Sequence, residues 1–124
     1  MIDSIILYVA SGIIALWGMA HLCAIGGVIR GFGEISVDNK RIITMEWIVE
    51  GLALLMIAAF VATVTAIDPK SVISIRVYIV SILSLIALAV VSLFTGFKIA
   101  FLPFKLCPLI FGLSAVLIAI AILL

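Results

Sequence analysis

Charge is scarce in this 124-residue chain: Lys, Arg, Asp and Glu together fill 10% of positions, against about 25% in an ordinary soluble domain. Seven basic and six acidic residues leave a net charge of +1 and no dense basic run. Binding to nucleic acid through a row of phosphates is therefore excluded. The two cysteines, Cys23 and Cys107, show neither CxxC nor cysteine–histidine spacing, so a disulfide framework and a zinc ribbon are excluded as well. Reckoned from the nearest basic residues, Cys23 lies about 10 Å deep and Cys107 roughly 7 Å shallower. That mismatch argues against a bridge between them and leaves both as small packing residues. No lipidation motif is present. The acidic start, "MIDSIILYVASG", lacks the positive n-region of a signal peptide, so the first apolar segment is expected to be retained.

What the chain has in abundance is apolar side chains, at 68% of positions and a mean hydropathy of +1.60. So small a chain cannot hide that much apolar surface in its own core, which excludes a water-soluble enzyme and makes the lipid bilayer the expected partner. A spanning helix needs about 20 apolar residues. Four segments qualify, at about 5–29, 42–67, 77–97 and 106–124. The connections "RGFGEISVDNKR", "DPKSVISIR" and "KIAFLPFK" are too short to fold alone, so consecutive helices lie antiparallel. The predicted fold is all-α and integral to the membrane, a single up-down bundle of four transmembrane helices over residues 1–124.

Local signals agree. Gly31 and Gly33 end the first helix, Ser36 or Asp38 caps the second, and Asp68-Pro69 closes it. Pro103 and Pro108 are expected to bracket the start of the fourth. Arg30, Lys40, Arg41, Lys98 and Lys105 fall in the first and third connections, whereas Lys70 and Arg76 alone occupy the other side. The positive-inside bias then puts the first and third loops in the cytoplasm and both termini outside. The first loop, with Phe32, Ile35 and Val37 among its charges, can lie along the interface. Trp47, Tyr8 and Tyr78 lie near predicted span ends and read as interfacial belt residues. Gly27/Gly31, Ala58/Ala62 and Ala115/Ala119 have the small-xxx-small spacing of close helix packing. "GFG" at 31–33 and "GFK" at 96–98 occupy matching helix ends, too short a match to establish a repeat.

Three ionisable residues lie well inside the apolar spans: His21, Glu46 and Glu50. An unpaired carboxylate there costs several kcal/mol, about 3 or more by insertion scales. His21 stands nine positions before Arg30 and Glu50 nine after Arg41, which puts both roughly 13–14 Å below the basic surface. Neighbouring antiparallel helices bring groups of equal depth together, so His21 and Glu50 are expected to touch or to share a bound group. Glu46, one turn nearer the basic end on the same face as Glu50, extends the ladder or pairs with Lys40 or Arg41 at the interface. Trp17, one turn from His21, can wall the site, and Ser92 or Ser114 can add hydroxyls.

Such a cluster suits three chemistries. A desolvated glutamate beside a histidine can load and release protons. One imidazole with two carboxylates, His21, Glu46 and Glu50, approaches a metal donor set but lacks a second histidine. The pair can also hydrogen-bond the polar head of a quinone-like or lipid-like amphiphile lying between helices. No cofactor is required by the sequence; a quinone or a metal would fit these chemistries. The bland alternative is a polar pair that only fixes helix register.

The segment "WGMAHL", the "GF" turn and the acid-glycine pair in "MEWIVEGLALLMIAA" resemble the DoxX-like group of small bacterial and archaeal membrane proteins, chiefly over Gly12 to Ala59. That resemblance implies a prokaryotic cell-membrane protein, in some members a subunit of a quinone-linked oxidoreductase. Small multidrug transporters share the length and helix count, but their essential acid is expected in the first helix, where this chain has His21. Three functions follow as expectations: an amphiphile-binding site using His21, Glu50, Glu46 and Trp17; a proton- or cation-coupled transporter working as a homo-oligomer; and a structural subunit of a larger membrane complex.

Overall fold

A computed structural model describes residues 1–124. Four long helices form, α1 (Ile2–Gly31), α2 (Val37–Ile67), α3 (Val72–Phe94) and α4 (Leu102–Leu123), with a 3₁₀ turn at Gly96–Lys98. All four are long and apolar enough to cross a membrane. They exceed or shift the predicted spans because hydropathy marks where apolar side chains stop, whereas helical hydrogen bonding runs on to the next cap. Ser36 accepts from the Asn39 amide at 3.1 Å and starts α2 at Val37. Ser71 accepts from the Ser74 amide at 3.1 Å and starts α3 at Val72, ahead of the expected 77. At its far end α3 stops at Phe94, before the expected 97, and the chain tightens into the 3₁₀ turn.

The fourth helix corrects a further expectation. Pro103 does sit in the first turn, but Pro108 lies inside α4. A proline there has no N–H to offer the carbonyl four residues back, that of Phe104.

The helices pack as a four-cornered bundle in which α1 lies most extensively on α2 and α3 on α4, α1 against α4 closes the ring, and α2 and α3 touch least. Only 23 of 124 residues are buried, and Leu16, Val80, Leu83 and Leu109 are among many large apolar side chains left on the outside. Apolar side chains thus fill the interior and also cover much of the exterior, as a bundle solvated by lipid would require. The core is a continuous column that includes Leu7, Ile14, Leu54, Tyr78, Leu85, Phe111 and Ile118.

Two glycines set the α1–α2 distance. A Cβ on Gly18 would lie 3.0 Å from the Gly51 carbonyl oxygen, and one on Gly51 would lie 3.1 Å from the Gly18 carbonyl. The expected close-packing glycines, Gly27 and Gly31, instead face open space, and a Cβ on either would meet nothing within 4 Å. Ser11 Oγ adds an interhelical bond by donating to the Ala58 carbonyl at 2.8 Å.

α2 and α3 are stitched at the end near their connecting loop. Thr65 Oγ1 and the Tyr78 hydroxyl share a bond of 2.9 Å, and Ser74 Oγ donates to the Asp68 carbonyl at 2.5 Å. Tyr78 is therefore a core residue, 1% exposed, and not the belt residue its position implied; Tyr8 is exposed. Beside this junction Lys70 Nζ lies 3.1 Å from Asp3 Oδ2, holding the α2–α3 loop to the start of α1.

Gly18→Ala is expected to push α1 and α2 apart and destabilise the bundle by about 1–3 kcal/mol. Gly12→Ala, where a Cβ meets nothing within 4 Å, should be neutral or stabilise by up to about 1 kcal/mol through helix propensity. Denaturant titration in mixed micelles measures both, and equal effects would refute the close-approach argument.

Candidate functional site

The glycine crossing places the polar cluster. His21 follows Gly18 by one turn on α1, Glu50 immediately precedes Gly51 on α2, and His21 Nε2 lies 3.4 Å from Glu50 Oε1. His21 is 4% exposed and the Glu50 side chain one-third exposed. His21 Nδ1 lies 2.9 Å from the Trp17 carbonyl. A carbonyl can only accept, so Nδ1 carries a proton. Nε2 therefore faces Glu50 as a donor when the imidazole is protonated and as an acceptor when the carboxyl is.

Aromatic side chains hold the imidazole. Trp47 stacks on it at 5.1 Å between ring centroids with a 26° interplanar angle, and Trp17 meets it edge-on at 5.7 Å and 73°. Trp47 Nε1 also donates to the His21 carbonyl at 2.6 Å, crossing from α2 to α1. Phe104 of α4 then packs edge-on against Trp47 at 5.4 Å.

Outside the pair lies a cavity of about 660 Å³, bounded by the basic halves of α2 and α3, the 3₁₀ turn and the start of α4. That size falls within the roughly 300–1,000 Å³ of small-molecule sites. His21, Glu46, Trp47, Glu50, Ser92 and Cys107 face it among mostly apolar neighbours. It opens sideways where α2 and α3 have separated, past Val49 and Val91, both more than half exposed. A Cβ on Gly96 would lie 3.2 Å from Phe104 Cδ1 and 3.7 Å from the Phe104 carbonyl oxygen, so glycine lets the turn close against that ring. The same oxygen is the one deprived of its helical donor by Pro108.

The structure brings His21 and Glu50 into contact and distributes the other candidates around them. Glu46 lines the same cavity but is exposed and joins no ion pair; Arg41 pairs instead with Asp38, at 3.6 Å. His21, Glu46 and Glu50 do not gather into a metal-binding group, because Glu46 is a full turn, about 5–6 Å, along the helix from the pair. Trp17 does not wall the cavity; it supports His21 from behind through its carbonyl and ring edge. Ser92 lines the cavity, whereas Ser114 is fully buried elsewhere in the core. Both cysteines are free thiols, Cys23 exposed and Cys107 buried at the cavity.

Trp47 is the main residue that sequence reasoning misplaces: it is part of the site and not a belt residue. Its signal is its position three before Glu50, which puts it on Glu50's side of the helix.

No family model, curated protein or solved structure matches the chain.

In a double-mutant cycle, His21→Ala and Glu50→Ala are expected to show a coupling of about 0.5–3 kcal/mol in bundle stability. Trp47→Phe, which keeps the ring but removes the donor to the His21 carbonyl, should cost about 1 kcal/mol. Strict additivity of the first two would show that the pair does not interact.

Proposed function

We propose that the protein spans a membrane with its four helices and binds a proton-linked amphiphile, lipid-like or quinone-like, in the groove between α2 and α3. One observation carries this reading. The His21–Glu50 pair forms the inner wall of a cavity that opens sideways through apolar residues, so a polar head can reach the pair while its tail stays in lipid. A pair that only fixed helix register would need no such opening.

Nε2 and the Glu50 carboxyl face one another at 3.4 Å, so a bound head that donates to or accepts from Glu50 changes the relative affinities of the pair for a proton, and binding is thereby linked to proton uptake or release. On the positive-inside bias the groove lies in the cytoplasmic half and the termini outside. The resemblance to DoxX-like proteins adds that the bundle serves as a subunit of a prokaryotic membrane oxidoreductase.

Native mass spectrometry of mildly solubilised protein tests the reading. A co-purifying mass is expected on the wild type and should be lost from both His21→Ala and Glu50→Gln, each still folded by circular dichroism. A bound mass unaffected by either variant would overturn the site. If no mass is found, and Glu50→Gln abolishes proton-coupled flux in proteoliposomes, the oligomeric transporter replaces it.

A further inference from the structure

The groove is unusually poor in hydrogen-bond donors. Among its lining side chains, His21 Nδ1 is committed to the Trp17 carbonyl, Trp47 Nε1 to the His21 carbonyl and Thr95 Oγ1 to the Val91 carbonyl. The Cys107 thiol faces the Pro103 carbonyl at 3.6 Å. His21 Nε2 faces Glu50 Oε1 at 3.4 Å. Ser92 alone keeps a side-chain hydrogen uncommitted, and no Lys or Arg lines the space.

Acceptors, by contrast, are in surplus. Glu50 has a second oxygen beyond the one facing His21, Glu46 has two and joins no ion pair, and the Phe104 carbonyl lacks its helical donor because residue 108 is proline. The charge count points the same way. The Glu46 and Glu50 carboxyl groups line the groove against one imidazole and no Lys or Arg. In a low-dielectric wall a carboxylate is stabilised by a cation.

We infer that the amphiphile bound in this groove carries a protonated amine head, with its N–H donors on Glu46 and Glu50 and its hydrocarbon tail leaving between α2 and α3. A quinone fits this wall less well, since two carbonyl oxygens would meet acceptors. The inference rests on the groove being a ligand site and names the head group that site takes.

The probes are hexadecylamine, an ammonium at neutral pH by analogy with the lysine side chain, and hexadecanol, with the same tail and no charge. Retention is read by native mass spectrometry from non-ionic detergent. The wild type is expected to retain the amine about tenfold more than the alcohol, the equivalent of one charge-assisted hydrogen bond. Glu46→Gln, at an exposed position where the fold should not suffer, is expected to remove that preference, and Glu46→Asp to keep part of it. Ala53→Trp, which fills the groove, should lower retention of both probes. Equal retention of the two by the wild type, or an unchanged preference in Glu46→Gln, overturns the amine head while leaving the amphiphile site standing. Retention that Ala53→Trp does not alter for either probe overturns the groove itself and the inference with it.

Discussion

Backbone contact between Gly18 and Gly51 is the constraint on which the polar site depends. Each glycine lacks the Cβ that would strike the other helix's carbonyl, so α1 and α2 approach more closely than larger side chains allow. Their neighbours inherit that closeness. His21 is one turn from Gly18 and Glu50 adjacent to Gly51, so the imidazole and the carboxyl meet across the crossing, and the Trp47 indole reaches the His21 carbonyl from the opposite helix. A wider crossing would leave a histidine and a glutamate in an apolar medium without partners.

Much of the fold is legible in the sequence because lipid imposes a length rule. Runs of about 20 apolar residues can do little else in so small a chain, and short connections force neighbours antiparallel. Helix ends are less legible, since caps such as Ser36 and Ser71 lie in polar segments where hydropathy is silent. At the site, His21 and Glu50 stand out by the cost of charge, and counting residues from Arg30 and Arg41 gives their common depth. Rotation about the helix axis is not encoded in depth. Position along the chain consequently points Trp47 and Tyr78 to the interface, although one stacks on His21 and the other is fastened to Thr65. The glycines of the crossing are hidden for a related reason. One glycine per helix makes no spacing motif, whereas Gly27 and Gly31, which do, border an open groove.

Electrostatics within the site follows from which hydrogen bonds are already made. Most side-chain donors that line the cavity are committed inward, to carbonyls of α1 or α3, with Ser92 the exception, and the Glu46 and Glu50 carboxyl groups line the space. The inward set stiffens the bundle. The outward set carries the recognition, and Glu46 is part of it because it has no protein cation to neutralise it. Stability and binding thus draw on different atoms of one cluster, so Trp47 and Glu46, on neighbouring positions of α2, act in opposite capacities.

Topology explains why the opening lies where it does. In an up-down bundle, α1 joins α2 and α3 joins α4 at the basic end, while α2 joins α3 at the other. That last junction is short and fastened by the Thr65–Tyr78 and Ser74–Asp68 bonds. No chain connects α2 to α3 at the basic end, and no direct hydrogen bond does so either. Across the ring, α1 and α4 have no connection at all, yet they are sealed by core packing around Ile14, Phe111 and Ile118. The α2–α3 seam is therefore the least packed of the four, fastened at its loop and open at the depth where the glycine crossing has placed the His21–Glu50 pair.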